Sequence, residues 1–364
     1  MKNVAVFFGG QSVEHDISIL TGVMTANSVD KERYNSVPIY IDKEGNWFTG
    51  EKLFDPDGYK SLDKKKLTKC FIMGGDNTLY MVKGKKIKPL LNIAVAINCM
   101  HGERGEDGSL AGLLNLSKIP LASPQVLPSS ACIDKRFTKI VMKGLSVNVL
   151  PSVYVEKESQ INEIIDRLEY PVIVKPNRLG SSIGITVADD EKSLRKAFML
   201  AQKYGEGAII EKKLEGFIEI NCAAYLSLEG IVVSECEKPI GKSDLLSFED
   251  KYSGGKREFP ADISKKLSDK IKKLTVKIYK ELGCDGVIRI DYFIKDNKVF
   301  VNEINTVPGS LGYYLFSETL GGFTKMLNKM ISVAQVKFAK EGSIIKNYDS
   351  GILTGLSPKG AKHL

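Results

Sequence analysis

The chain has 364 residues, more than one compact core usually holds, and this length predicts two or three packed domains. A hydrophobic content of 43% and a charged content of 26% are ordinary for a globular protein in water. The net charge of +8 comes largely from lysine-rich segments typical of solvated surfaces, and a smaller part of it could attract anionic substrates. No basic motif with interleaved aromatic residues indicates nucleic-acid binding, and no apolar run reaches the roughly 18 residues that cross a bilayer.

Cysteine and histidine usage excludes several kinds of site. The six cysteines are scattered without a CxxC pair, which favours a reducing compartment over a disulfide framework or a zinc site. Three histidines are too few for a multi-histidine metal centre. The apolar start of the chain reads as a buried strand rather than a signal peptide, so we predict a cytoplasmic protein.

The first part of the chain alternates strand, helix and strand, which predicts a parallel α/β domain over residues 1–125. Ligands of such sheets bind at the carboxyl ends of strands, where glycine turns follow the first and last strands here. The predicted elements are strands over 3–8, 37–41 and 93–98, a helix over 16–28, and a polar, hairpin-like stretch over 43–90.

Two further units follow, each predicted to mix helices and strands, so the fold class is α/β (α+β). The second domain is predicted over 126–213 and the third over 214–338. A Gly/Lys-rich tail over 339–364 is predicted to be mobile. The main predicted elements are helices over 134–143, 190–203, 263–282 and 317–335, and strands over 151–155, 172–176, 184–188, 208–211, 219–226, 231–234, 286–294 and 299–305, with an irregular stretch over 237–261.

A phosphate-binding loop is one interpretation of the segment after strand 172–176. That strand carries Lys175 near its end, and a Gly-Ser-Ser-Ile-Gly turn over 180–184 follows. Glycine and serine let the backbone fold over phosphates, while lysine adds a positive charge. The segment is not a Walker A loop, and a plain hairpin turn is the alternative.

A metal site is predicted from Arg289 and Asp291 on one strand and Glu303 and Asn305 on the next. The two-residue period of a strand places each pair on one face. A three-residue loop over 296–298 would pair Asp291 with Glu303, so we predict that loop. Two carboxylates and an amide supply the oxygen ligands that Mg²⁺ prefers. A surface salt bridge with Arg289 is the alternative.

Glycine turns with polar side chains form the third signal. The backbone N–H of Gly309, if it lies beside Arg289, could stabilise a developing oxyanion. His101, in the turn after the strand over 93–98, is a candidate for a catalytic role, although each such turn is more often structural. A dehydrogenase interpretation of Gly9 and Gly10 fails because the GxGxxG spacing is missing.

In order along residues 3–335, these segments resemble the D-alanine–D-alanine ligase family of ATP-grasp carboxylate–amine ligases. The motifs that carry the resemblance are FFGGQSVEHDIS, MHGERGEDGSLAGLL, IDKRFTK, PVIVKPNRLGSSIG, IIEKKLEG, EDKY, LGCDGVIRID and VNEINTVPG. The resemblance implies an ATP-grasp fold whose two α+β domains sandwich ATP. It implies a ligase reaction through an acylphosphate, small-molecule D-amino-acid substrates, two Mg²⁺ ions (with Mn²⁺ as a substitute) and a homodimer.

The same resemblance implies a role for each matching residue. It places Glu14, Ser181 and Tyr252 around the first amino acid, and Arg289 with the Gly309 amide at the tetrahedral intermediate. It implies Asp291, Glu303 and Asn305 as metal ligands. For ATP it implies Lys135 and Lys175 at the phosphates, Ser182 in the closing loop, Glu211 and Lys212 at the adenine, Glu219 at the ribose and Lys251 on a covering loop.

The sequence departs from the family pattern at two places. Glu219 lies one residue later than in the usual Gly-x-Glu motif. Tyr314 stands where a serine normally helps bind the second substrate, so Tyr313 and Tyr314 are predicted substrate residues of an altered acceptor pocket. His101 is a further predicted substrate residue. A ligase for another small amino or hydroxy acid and a non-catalytic ATP-binding protein are therefore the alternatives. Tyr252 argues against a hydroxy-acid acceptor.

Overall fold

The computed structural model describes residues 1–241, 256–348 and 350 of the chain. In the first domain, β1 (Lys2–Gly9) pairs in parallel with β2 (Tyr34–Ile41) on one side and β6 (Lys86–Asn98) on the other. This confirms the predicted parallel arrangement. The polar stretch contributes antiparallel strands that connect β2 back to β6 and close the sheet into a barrel. These are β3 (Trp47–Thr49), β4 (Thr68–Ile72) and β5 (Thr78–Lys83).

The first strand is the centre of this domain because its apolar residues are covered on both faces. Val4 through Phe8 are fully buried, as expected for a parallel strand with packing on both sides. Helix α1 (His15–Ser28) packs against β1, and α2 (Ser109–Leu116) follows β6. Because β1 and β6 are parallel, the polar turns that follow them lie at the same edge of the sheet. These turns carry Glu14 and His101.

The middle of the chain forms an antiparallel sheet in which β10 (Ala208–Lys212) lies between β7 (Ser152–Val155) and β8 (Val172–Pro176), while β9 (Thr186–Ala188) pairs with β8. Helix α4 begins at Lys135 because the Asp134 side chain accepts a hydrogen bond from the Phe137 N–H. The helices of this part are α3 (Val126–Ile133), α4 (Lys135–Gly144), α5 (Ile161–Ile164) and α6 (Glu191–Gln202).

The last part of the chain contains a second antiparallel sheet in the order β12 (Gly230–Val233), β11 (Ile218–Ser227), β15 (Val287–Lys295) and β16 (Lys298–Asn305). The helix α8 (Leu320–Gly342) packs against β11 and runs farther than predicted. Its residues Phe323 and Leu327 share a core with Phe8 of the first domain. The remaining elements are β13 (Lys238–Ile240), which pairs with β14 (Lys256–Glu258), and the helix α7 (Lys265–Glu281).

Each of the three predicted domains contains one of these larger sheets. The boundaries at 125/126 and 213/214 stay predictions. Of the predicted tail over 339–364, residues 339–342 instead belong to the last helix, and residues 349 and 351–364 lie outside the described residues. Within the part of the chain that the structure describes, no helix is both long and apolar enough to cross a bilayer.

Candidate active site

The β15–β16 hairpin brings Asp291 opposite Glu303, as predicted, but by a different route. The predicted three-residue loop is wrong. Lys295 pairs with Lys298, so the loop is the two-residue turn Asp296–Asn297, and both residues have positive φ of 49° and 59°. The register then shifts because Asn302 is an extra residue between two paired positions, a β-bulge that restores the pairing of Asp291 with Glu303.

Asp291 lies at the centre of a buried polar cluster. Its side chain is 3% exposed and accepts hydrogen bonds from Arg289 Nε at 2.7 Å and Nη2 at 2.9 Å. Asn305 Nδ2 donates a hydrogen bond to the second carboxylate oxygen of Asp291 at 3.1 Å. The alternative of a salt bridge with Arg289 is therefore present, but it is buried rather than on the surface.

This cluster suits a hard cation. Asp291, Asn305 and the half-buried Glu303 supply oxygen donors from two adjacent strands. Each carboxylate oxygen has two lone pairs, so Asp291 Oδ1 can accept the hydrogen bond from Arg289 and also bind a cation. These residues fit the predicted Mg²⁺ role, although no group of three or more His, Cys, Asp or Glu side chains forms a metal cluster within residues 1–241, 256–348 and 350.

A cavity next to this cluster collects predicted residues from all three parts of the chain. The lining residues that the sequence predicted are Glu14, Lys135, Ser181, Arg289, Glu303, Asn305 and Gly309. Lys135 Nζ lies 4.0 Å from Glu303 Oε1 and donates to the carbonyl oxygen of Leu179. A substrate in this cavity would therefore meet both cations and carboxylates.

Glu14 and Ser181 meet across the cavity although 167 positions separate them in the chain. The Ser181 hydroxyl donates to Glu14 Oε1, and both residues are buried. Ser181 and Ser182 have positive φ of 55° and 58°, which folds the loop after β8 back toward the site. The predicted phosphate-binding loop thus carries one side chain that reaches the first domain.

Glu211 connects two buried lysines. Its carboxylate lies 2.7 Å from Lys175 Nζ and 2.6 Å from Lys139 Nζ. Burial alone would raise the pKa of Glu211, but the charges of Lys175 and Lys139 outweigh that effect and lower this pKa to about 2. Lys139 is not among the residues predicted from the sequence, although it is the last residue of the IDKRFTK motif.

The other predicted ATP residues occupy different surroundings. Lys212 points to the surface, where it forms an ion pair with Glu169, and Glu219 is half-buried on β11 opposite Phe293. Lys251 and Tyr252 lie outside the described residues. The roles of these four residues stay predictions.

Thr21 links His101 to the turn at Gly309 by hydrogen bonds. His101 Nε2 is 2.9 Å from Thr21 Oγ1, which also accepts a hydrogen bond from the Ser310 N–H at 3.1 Å. Burial, with the nearby charge of Arg289, lowers the pKa of His101 to about 4, so the ring is neutral at neutral pH. This contact places His101 as a support of the turn, and its predicted substrate role stays a prediction.

Glu106 is a site residue that was not predicted from the sequence. It lines the cavity and accepts hydrogen bonds from the Gly102 N–H at 2.9 Å and the Val307 N–H at 3.0 Å. Burial, together with the charge of Glu14, raises the pKa of Glu106 to about 8. Glu106 therefore ties the turn of the first domain to the turn that carries Gly309.

The two neighbouring tyrosines face different ways on the 3₁₀ turn Gly309–Leu315. The Tyr314 hydroxyl lies 3.4 Å from Arg289 Nη1, beside the site. Tyr313 stacks on Phe323 with ring centroids 4.7 Å apart and packs against the hydrophobic core. Of the two predicted acceptor residues, Tyr314 is therefore the one in contact with the charged cluster.

Comparisons with known proteins agree with this geometry. The family models described as D-ala D-ala ligase N-terminus and C-terminus match residues 3–124 and 142–332. A D-alanine–D-alanine ligase of Thermosipho melanesiensis is 36% identical over 97% of this chain and 98% of its own length. The chain belongs to the D-alanine–D-alanine ligase family. The D-alanine–D-alanine ligase A of Escherichia coli K12 is 30% identical over 94% of this chain and 98% of its own length.

Solved structures of this ligase family have the same fold. A D-alanine–D-alanine ligase from Helicobacter pylori superposes with a TM-score of 0.78 at 29% identity, covering 91% of this chain and 98% of that chain. A D-Ala:D-Ser ligase from Enterococcus faecalis superposes with a TM-score of 0.78 at 27% identity, covering 92% of this chain and 99% of that chain. The ATP-grasp fold is therefore confirmed.

Proposed function

We propose that the protein is an ATP-dependent ligase that joins two D-alanines through an acylphosphate, for peptidoglycan precursor synthesis. The observation that carries the proposal is the shared cavity of Glu14, Ser181, Lys135, Arg289 and Gly309. Membership of the D-alanine–D-alanine ligase family and the relatives' names support the same reaction. A non-catalytic protein would have lost part of the cluster around Arg289, which is intact.

The reaction has two steps. A carboxylate oxygen of the first D-alanine attacks the γ-phosphorus of ATP, and the bond from that phosphorus to ADP breaks. The amine of the second D-alanine then attacks the acyl carbon, phosphate leaves and one amine proton is lost. Because the acylphosphate would hydrolyse in bulk water, the site must exclude water while it positions both partners.

The residues divide these tasks between them. Glu14, held by Ser181, offers a carboxylate to the ammonium group of the first D-alanine. Lys135 and Lys175 supply positive charge for the phosphates. Arg289 and the Gly309 N–H can stabilise the oxyanion of the tetrahedral intermediate.

Metal binding belongs to the same proposal. Asp291, Glu303 and Asn305 would hold two Mg²⁺ ions, for which Mn²⁺ can substitute. Bound Mg²⁺ neutralises charge on the phosphate oxygens. We also propose that the protein is a cytoplasmic homodimer, which the family resemblance implies.

The test is ATP-dependent phosphate release with D-alanine, with the product identified by mass. We expect D-alanyl-D-alanine from D-alanine alone, no product from L-alanine and no turnover by an Arg289→Met variant. If D-alanine alone is inert while D-alanine with D-serine or D-lactate reacts, the proposed acceptor is wrong. If no pair reacts, the proposed activity is wrong.

A further inference from the structure

Arg257 makes a set of contacts that the proposed reaction does not use. Its Nη1 lies 3.2 Å from Glu237 Oε1 and donates to the Tyr314 carbonyl oxygen at 3.3 Å. Its guanidinium carbon lies 5.0 Å from the centre of the Tyr314 ring and 5.1 Å from that of Phe259. Glu237 is itself buried and accepts a hydrogen bond from Asn221 Nδ2 at 3.1 Å. Arg257 is thus anchored on one side and holds Tyr314 on the other.

These contacts restrict Tyr314 in two ways. A guanidinium over a ring face is attracted to its electrons, which favours one ring orientation, and the bond to the carbonyl fixes the backbone of the same residue. The ring orientation in turn sets the position of the hydroxyl, which lies 3.4 Å from Arg289 Nη1. Arg257 therefore controls a contact at the active site without being part of the cavity lining.

The Tyr314 hydroxyl and Arg289 Nη1 together form an edge suited to a carboxylate. Nε and Nη2 of Arg289 are engaged by Asp291, so Nη1 is the nitrogen directed toward Tyr314. Burial raises the pKa of Tyr314, so its hydroxyl keeps its proton at neutral pH and can donate a hydrogen bond. A small amino acid that enters as the second substrate brings one carboxylate that needs such donors.

We infer that Arg257 is a positioning residue of the acceptor site, which fixes Tyr314 against Arg289 and so sets the binding of the second amino acid. The inference rests on the proposed function, because it assigns part of that reaction's second substrate site. Arg257 acts through Tyr314, so it affects the second step and leaves ATP binding and acylphosphate formation unchanged.

The experiment compares the two steps in one assay. ATP labelled with oxygen-18 in the β–γ bridge scrambles its label when the acylphosphate forms and reverts, while dipeptide is counted by mass. The ratio of scrambling to dipeptide does not depend on the amount of active protein. We expect Arg257→Met to raise this ratio about tenfold, the size of one lost charge-assisted hydrogen bond, with KM for ATP unchanged. Arg257→Lys, which keeps the charge but not the planar group, should lie in between.

Tyr314→Phe and the double variant decide whether Arg257 acts through Tyr314. We expect Tyr314→Phe to raise the ratio of scrambling to dipeptide as well. The double variant Arg257→Met/Tyr314→Phe should have the same ratio as Tyr314→Phe alone, and not the product of the two single effects. The control is Arg33→Met in the first domain, because the exposed Arg33 also lies over the ring of a tyrosine, Tyr34, at 5.4 Å.

The outcomes separate the two proposals. A wild-type protein that makes no dipeptide overturns the proposed function. A wild-type protein that makes dipeptide, with an unchanged ratio in both Arg257 variants or with additive effects in the double variant, overturns the inference about Arg257.

Discussion

The guanidinium group of Arg289 donates two hydrogen bonds to the carboxylate of Asp291, from Nε at 2.7 Å and from Nη2 at 2.9 Å. Both residues are on β15, two positions apart, so they share one face of the sheet. Arginine thus orients a proposed metal ligand and also offers Nη1 to the reaction. A lysine at this position could supply the charge but not the planar pair of bonds.

Arg289→Lys is expected to lower kcat by about 100-fold or more, the effect of losing one preorganised oxyanion donor. The Mg²⁺ concentration needed for half-maximal rate should also rise, because Asp291 loses its orientation. Steady-state rates across a Mg²⁺ titration measure both effects. A variant with wild-type kcat would show that Arg289 does not stabilise the intermediate. Arg33→Met, far from the site, is the control for a general effect of removing an arginine.

The pair formed by Lys139 and Glu211 predicts a loss of stability on substitution. Lys139→Met leaves Glu211 with a single lysine partner, and removing one member of a buried ion pair costs about 3 kcal/mol. Urea unfolding at pH 7 measures this loss. Lys60→Met removes an exposed pair with Asp57 and should change the unfolding free energy by less than about 1 kcal/mol.

The same pair predicts how that loss depends on pH. Because the pKa of Glu211 falls from an ordinary 4.5 to about 2 on folding, its stabilising contribution is present above pH 4.5 and declines as the pH falls toward 2. The difference in unfolding free energy between Lys139→Met and the wild type should therefore become smaller below pH 4.5. A difference that stays constant between pH 7 and pH 3.5 contradicts the ion-pair interpretation.

Glu106 predicts the opposite pH dependence. Its pKa rises from an ordinary 4.5 to about 8 on folding, so between these values the folded protein holds a proton that the unfolded chain releases. Stability from this group is greatest below pH 4.5 and falls as the pH rises toward 8. Glu106→Gln should flatten that part of the curve of unfolding free energy against pH, measured without nucleotide or Mg²⁺.

The neighbouring Glu103 gives the control for this prediction. It is exposed in the same turn, so Glu103→Gln should leave the pH dependence of stability unchanged. An unchanged slope in Glu106→Gln would show that Glu106 titrates normally in the folded protein.

The sequence predicts most of this fold because its signals are local. Apolar runs such as 172–176 become strands at the predicted positions, and the paired carboxylates on β15 and β16 are found as predicted. What it misses depends on distant partners. Glu106 gains its role from Val307, 201 positions away, and Lys139 from Glu211. Neither residue type nor spacing within a motif reveals such contacts.

The hairpin turn shows a different kind of error. Regular pairing across a two-residue loop would place Asn302 opposite Asp291, so a three-residue loop is the simplest way to pair Asp291 with Glu303. The chain uses the tighter turn and inserts a bulge instead. A bulge has little sequence signal, since it depends on what the extra residue contacts in the folded protein.

That contact gives the last prediction. The bulged Asn302 reaches Lys175, with 3.2 Å between Asn302 Oδ1 and Lys175 Nζ. Asn302→Ala should raise KM for ATP about fivefold to tenfold, because a hydrogen bond to a charged group is lost, while kcat changes less.

Deletion of Asn302 separates the bulge from the pairing. Without the extra residue, regular pairing from Lys295 with Lys298 still brings Asp291 opposite Glu303. The deletion should therefore raise KM for ATP as Asn302→Ala does and keep the Mg²⁺ dependence of the wild type. If the deletion instead abolishes the response to Mg²⁺, the bulge itself sets the orientation of Glu303, and the register argument is wrong. Parallel titrations of ATP and Mg²⁺ on the two variants distinguish these results.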